Sequence, residues 1–111
     1  MIHTSRFDRA TATPAHEGTI LAMPVLPKGV QAPFGHAWGY LAGRGAMDGH
    51  THPTMEVYFF HQGQGVVVVG EEEQAVAPGD WVAIPPGAYH TVRNETDAEL
   101  LWFALWWPPL G

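Results

Sequence analysis

The chain of 111 residues contains no cysteine, which excludes both a disulfide framework and thiolate chemistry. Basic residues are also scarce, since five Lys and Arg face eleven Asp and Glu, giving a formal net charge of −6. Such a chain offers no basic footprint, so we expect no nucleic-acid partner. No apolar stretch approaches the roughly twenty residues that span a bilayer, so we expect no membrane partner either.

The first six residues lack the apolar run of a secretion signal. Together with the absence of cysteine, this favours a cytoplasmic protein. The cytoplasmic location is an expectation from composition, because we identify no targeting motif that would specify it.

Turn-forming residues are abundant, with 13 Gly and 10 Pro in a chain that is 46% apolar. This length provides one hydrophobic core, so we predict one folded domain. Residues 1–33 are the least regular, and we interpret them as an N-terminal arm with a first strand over residues 19–25. Residues 34–111 are the predicted barrel domain. His3 and His16 fall in the arm, where solvated surface positions are expected.

From residue 35 onward, short apolar runs alternate with turn signals. This spacing is typical of an all-β barrel or sandwich. In the run 56–61, Glu56, Tyr58 and Phe60 share one face of a strand, which we expect to face the interior. The run 100–107 is apolar on both faces. One face fills the core, and the other would leave an exposed patch, so the pattern predicts a homodimer.

A histidine pair lies shortly before Glu56, and we expect all three residues to come from one strand. His50 and His52 are two residues apart, so on a strand their imidazoles point to the same face. If the pleat continues past Pro53, Glu56 joins them. Imidazole and carboxylate donors together suit Zn, Fe, Mn, Ni or Cu. The pattern predicts a divalent metal site.

Two segments of the chain resemble the paired motifs of the cupin superfamily. The matching positions are His50, His52, Glu56 and Gly63 in the first motif, and Gly79, Pro85, Gly87, His90 and Asn94 in the second. One departure is that four residues, not five, separate Gly45 from His50. The resemblance covers about residues 36–107 and implies a single-domain jelly-roll β-barrel.

The resemblance also implies a ligand set. In cupins these positions hold one metal ion per chain, so His50, His52, Glu56 and His90 are the predicted donors. Asn94 is expected to brace the turn or an adjoining strand by side-chain hydrogen bonds. No other cofactor is expected.

Three histidines and one carboxylate leave one or two coordination positions open, which is typical of catalytic metal. We therefore expect a small metal-dependent enzyme acting on a carboxylate, keto acid or sugar derivative. The resemblance allows a dioxygenase, or an isomerase or lyase. The alternative is a non-catalytic module that binds or senses a small molecule.

Three residues are candidates for the chemistry beside the metal. Tyr58 has the parity of Glu56, while His36 and Arg44 lie near the motifs. Arg44 could clamp a substrate carboxylate, because a guanidinium forks onto carboxylate bidentately. Surface or core packing is the simpler interpretation for each of them.

Overall fold

The computed structural model describes residues 1–110 and contains nine strands. Their bounds are Thr13–Ala15 (β1), Ile20–Met23 (β2), Gly35–Leu41 (β3), Met55–Gln62 (β4), Gly65–Val69 (β5), Glu72–Val76 (β6), Trp81–Ile84 (β7), His90–Arg93 (β8) and Leu100–Trp107 (β9). No helix occurs within these residues, so none is long and apolar enough to cross a membrane. The predicted all-β jelly-roll class is confirmed.

The strands form two antiparallel sheets. One has six strands in the order β1-β2-β3-β9-β4-β7, and the other has three in the order β6-β5-β8. The long strand β9 pairs with both β3 and β4, so it lies at the centre of the larger sheet. The apolar run 100–107 is therefore a central strand, and its inward-facing residues Leu100, Trp102 and Ala104 are buried.

The core lies between the two sheets and follows the two-residue period of the strands. Glu56, Tyr58 and Phe60 are 7%, 3% and 0% exposed, which confirms that they share the inner face of β4. The Trp102 ring of β9 packs 5.6 Å from the Tyr58 ring and 5.9 Å from the Phe60 ring, centroid to centroid. Glu56 is thus a carboxylate at the end of an aromatic inner face.

The N-terminal segment packs on its own sheet. The Phe7 ring stacks on the Tyr40 ring at 5.8 Å, and the Arg9 guanidinium lies 5.0 Å above the same ring. Further along, β1 and β2 extend the larger sheet from β3. The predicted strand over residues 19–25 is β2. The boundary at residue 34 stays a prediction, and Gly111 lies outside the described residues.

Candidate metal centre

Three histidines converge between the two sheets. Ring nitrogens of His50, His52 and His90 all lie within 4.8 Å of one another, so the three can hold a metal ion. Their ring centroids are 4.7 to 5.3 Å apart. The structure thus brings together the histidines of the two sequence motifs, which are far apart along the chain.

A β-bridge and a tight turn make this convergence. His50 and His90 form an isolated antiparallel bridge, which joins the loop before β4 to the start of β8. The Gly87 amide donates to the His52 carbonyl at 2.8 Å, which ties the turn before β8 to the same loop. Gly87 has a φ of 80°, a backbone conformation that glycine adopts without steric cost.

The histidine pair does not lie on the strand of Glu56, so our expectation of one continuous pleat was wrong. The strand β4 begins at Met55, and His50 and His52 lie in the loop before it. A bend at Pro53 and Thr54 interrupts the pleat. Proline fixes φ and cannot donate a ladder hydrogen bond, which explains the break. Glu56 reaches the histidines from the start of β4.

The Glu56 carboxylate faces two of the three rings. Its Oε1 lies 2.9 Å from Nε2 of His52, a hydrogen bond, and 3.3 Å from Nε2 of His90. The second contact is close enough for an ion pair but is out of line for a hydrogen bond. Burial of Glu56 beside imidazole nitrogens places a hard oxygen donor in the same cluster as three nitrogen donors.

The outer ring nitrogens fix the orientation of two imidazoles. Nδ1 of His90 lies 3.0 Å from the Ala88 carbonyl, and Nδ1 of His52 lies 3.2 Å from the Thr54 carbonyl. A carbonyl only accepts, so the neutral His90 ring carries its proton on Nδ1, and the lone pair of its Nε2 points into the cluster, as in metal-bound histidines held by a backbone carbonyl. Nδ1 of His52 also lies 2.8 Å from the Thr54 hydroxyl, which can donate to it and leave Nε2 of His52 to donate to Glu56.

Two ring nitrogens of the cluster are buried without a partner. Within residues 1–110, Nδ1 of His50 and Nε2 of His90 accept and donate no hydrogen bond. Buried polar atoms are rarely left unpaired, because desolvation without a partner is costly. Nε2 of His90 faces the Glu56 carboxylate at 3.3 Å, and a metal ion at the cluster would satisfy it. The donor types, and the ring nitrogens that converge within 4.8 Å, therefore fit a divalent ion.

The protonation of the cluster is uneven. Burial, together with the neighbouring rings of His16 and His90, lowers the pKa of His50. Burial also lowers the pKa of His90, but the Glu56 carboxylate and the Ala88 carbonyl outweigh it, so the net shift is upward. His50 thus favours the neutral form, which is the form that binds metal.

His16 lies beside the cluster, so the expected solvated surface position is wrong for this residue. Its ring centroid is 4.3 Å from that of His50, and its side chain is half-buried. Burial lowers the pKa of His16. The residue belongs to the N-terminal segment, outside both sequence motifs, and no local pattern in the sequence marks it.

The turn between β1 and β2 carries His16 to this position. His16, Glu17 and Gly18 all have positive φ, at 51°, 59° and 79°. The Thr19 hydroxyl donates to the His16 carbonyl at 2.6 Å and accepts from the Asp48 amide at 2.8 Å. Thr19 therefore ties this turn to the loop that carries His50. The only sequence signal is Gly18. It indicates a turn, but it does not show that the turn lies beside His50.

Of the three catalytic candidates, Tyr58 lies near the cluster. Its ring centroid is 6.0 Å from that of His90, and the side chain is buried. Burial, and to a lesser degree the Glu56 charge, raises the pKa of Tyr58 well above its ordinary value. The phenol therefore stays protonated at neutral pH and can serve as a donor, not as a base.

The other two candidates make their contacts elsewhere. Nδ1 of His36 accepts from the Val25 amide at 3.0 Å, which holds the segment after β2. The Arg44 guanidinium donates to the Asp97 carboxylate at 2.8 Å. Neither contact involves the three converging histidines, and a catalytic role for either residue stays a prediction.

A cavity of about 210 Å³ adjoins the cluster. His16 and Tyr58 line it, and the rest of its wall is apolar. A second cavity of about 350 Å³ lies among β5, β6 and β7. None of the three converging histidines lines either cavity, but two wall residues of the first, His16 and Tyr58, have rings 4.3 Å from His50 and 6.0 Å from His90.

Comparison with known proteins agrees with this architecture. A family model described as a cupin domain matches residues 38–107. A cupin 2 conserved barrel domain protein from Salinispora arenicola is 28% identical, with a TM-score of 0.84, over 96% of this chain and 89% of that one. The plu4264 protein from Photorhabdus luminescens is 26% identical, with a TM-score of 0.83, over 96% and 88%. No curated protein gives a significant match.

A third solved structure is TT1209 from Thermus thermophilus, which is 29% identical, with a TM-score of 0.73. The match covers 95% of this chain and 98% of that one, so the two chains correspond along nearly their whole lengths.

Proposed function

The chain belongs to the cupin family, and on that premise we propose that it is a small metal-dependent enzyme acting on an oxygenated small molecule. The ion is divalent, one of Fe, Mn, Ni, Zn or Cu. The proposed donors are His50, His52, Glu56 and His90. The observation that carries the proposal is the convergence of three histidine ring nitrogens within 4.8 Å of one another, beside a buried carboxylate.

The four donors leave at least one coordination position for a substrate oxygen. An ion bound there would supply a Lewis acid for a carbonyl or carboxylate group. The chain's own residues shape what surrounds that oxygen. Tyr58, kept protonated by burial, is the proposed hydrogen-bond donor to it. The apolar cavity wall excludes water, and hydrogen bonds to developing negative charge are strongest in such surroundings.

A second candidate is a non-catalytic module that binds or senses a small molecule. It is favoured by the contacts of the proposed catalytic residues. His36 and Arg44 are held by Val25 and Asp97, so neither stands beside the cluster as a base or a carboxylate clamp. A barrel with metal donors but no positioned base can hold a ligand without breaking a bond.

A substrate screen on metal-loaded and chelated protein separates these possibilities. Carboxylic acids, keto acids and sugar derivatives are supplied, and oxygen uptake and product formation are followed together. Metal-dependent oxygen uptake selects a dioxygenase, and conversion without oxygen uptake selects an isomerase or lyase. Turnover that is unchanged by chelation and by His90→Ala contradicts the metal-dependent reaction. If no compound turns over but one raises the Tm, the binding module is the correct reading.

A further inference from the structure

We propose that the ligand of this site has a flat aromatic group, which occupies the cavity of about 210 Å³ beside the histidines. Its oxygenated head would lie at the candidate metal centre. This inference rests on the proposed function, since it names the substrate class of the same site: aryl-substituted carboxylic or keto acids.

The cavity floor comes from three successive inward pairs of β3 and β9. These pairs are Gly39 with Trp102, Ala37 with Ala104, and Gly35 with Trp106. A Cβ at either glycine would overlap the indole of its partner, so both indoles lie across β3. Between the two indoles, only the methyl groups of Ala37 and Ala104 cover the floor. We call the space between Trp102 and Trp106 the alanine slot.

The volume suits a single ring. An apolar cavity of about 150 Å³ in another protein binds benzene, so about 210 Å³ accommodates one aromatic ring and a short side chain. A drug-sized ligand needs a pocket of about 300 Å³ or more. The alanine slot is therefore large enough for a phenyl or indole-sized group and too small for a second ring system of the same kind.

The apolar wall of the cavity disfavours a ligand that would bury many polar groups in it. Apart from His16 and Tyr58, the residues that line the cavity are alanine, glycine, isoleucine and tryptophan. A sugar derivative would bury several hydroxyl groups against them without hydrogen bonds, and each such group would weaken binding. A carboxylic or keto acid with an apolar body has no such groups to leave unpaired.

The polar end of the cavity neighbours the histidine cluster, although none of the proposed metal donors lines the cavity. The His16 ring lies 4.3 Å from the His50 ring, and the Tyr58 ring lies 6.0 Å from the His90 ring. Both His16 and Tyr58 also line the cavity. A ligand whose ring sits in the alanine slot therefore presents its oxygens to these two side chains, on the side of the cavity that faces the metal donors.

Two keto acids with the same head group test the proposal. Pyruvate and phenylpyruvate are titrated calorimetrically into the full chain loaded with manganese(II). Burial of the phenyl group predicts that phenylpyruvate binds at least about tenfold more tightly than pyruvate. Equal affinities, or weaker binding of phenylpyruvate, would overturn the alanine slot and leave the metal proposal standing.

Substitutions on the slot floor give the matched test. Ala104→Leu fills the slot, and it is expected to remove the preference for phenylpyruvate while pyruvate affinity and metal content stay unchanged. Ala37→Leu is expected to do the same if the first variant folds poorly. Ala83→Leu makes the same change at an exposed position of β7 and keeps the preference. A preference that survives both floor substitutions contradicts the proposal.

Chelated protein separates this inference from the proposed function. If the affinities for both acids, and with them the preference for phenylpyruvate, are unchanged after chelation, the slot is supported and the metal-centred function is overturned. If neither acid binds the metal-loaded protein, both proposals are overturned.

Discussion

His50 and His90 exchange two backbone hydrogen bonds, from the His50 amide at 3.2 Å and from the His90 amide at 3.1 Å. They form a hydrogen-bonded antiparallel pair, so their side chains stand next to each other on one side of the bridge. The two rings can therefore reach the same ion although they come from different sequence motifs.

This pairing leads to the first prediction, on metal content. The wild-type protein is expected to carry about one ion per chain by elemental analysis. Either His50→Ala or His90→Ala removes one donor and should lose most of the metal. His16→Ala removes a ring that neighbours His50 but lies outside the proposed donor set, so it should retain the ion. Full metal retention in His90→Ala would falsify the assignment.

Glu56→Gln tests the carboxylate donor. The substitution keeps the shape of the side chain and removes its charge, so affinity for a divalent ion should fall by at least about tenfold. Competition against a chelator measures this Kd, and turnover should fall with it. Glu72→Gln, on the exposed strand β6, is the control and should leave the Kd unchanged. An unaltered Kd in Glu56→Gln means that the three histidines bind the ion alone.

Asn94→Ala should destabilise the fold. The side chain is buried, and its amide donates to the carbonyls of Ala42 and Ala98 at 3.2 and 2.7 Å. Its Oδ1 accepts from the Thr96 amide and hydroxyl. Leaving these groups unpaired should lower the free energy of unfolding by about 2 kcal/mol or more. The observed hydrogen bonds of Asn94 confirm the brace predicted from the sequence motif.

Urea denaturation measures the effect of Asn94→Ala. Asn94→Asp serves as the comparison, because it keeps the acceptors and loses the donors, and it should also be destabilised. A wild-type midpoint in Asn94→Ala would show that water replaces all of these bonds.

The pH dependence of the β6–β8 contact follows from Glu73. Hydrogen bonds from Arg93, at 2.8 and 2.9 Å, and its charge hold the pKa of Glu73 below its ordinary value. A depressed carboxylate pKa stabilises the folded state above the unfolded pKa. That contribution is lost as the pH falls through the folded pKa. An NMR titration should find the low pKa in the wild type and its return to the ordinary value in Arg93→Gln. Identical Glu73 titration curves in the wild type and in Arg93→Gln would contradict the ion pair between Glu73 and Arg93.

The outer face of β9 carries the homodimer prediction. Phe103 stacks on Phe59 at 5.1 Å and contacts Trp38 edge to face, while nearby Trp81 is 66% exposed. A second copy of the chain that covered this aromatic face would remove apolar surface from water, which would stabilise a dimer. Light scattering at micromolar concentration should give a dimer, and Phe103→Glu should give a monomer. Phe103→Leu keeps the face apolar and should remain dimeric. A monomeric wild type contradicts the prediction.

The sequence determined the features that depend on local backbone rules. A two-residue period placed Glu56, Tyr58 and Phe60 on the inner face of β4, and the β9 bounds match the apolar run at 100–107. The motif spacing named the histidines that the structure brings together. These inferences succeed because alternation along a strand and the restricted backbone of Gly and Pro act within a few residues.

Only the tertiary structure decided which distant elements meet. His16 reaches His50 because β1 and β2 join the edge of the larger sheet, and the alanine slot exists because β3 and β9 pair in one register. A slip of β3 by one residue against β9 would turn Ala37 to the outer face and away from Ala104. No local pattern specifies that register, since it is set by packing across the whole core. The sequence therefore indicates the donors, and the fold determines what surrounds them.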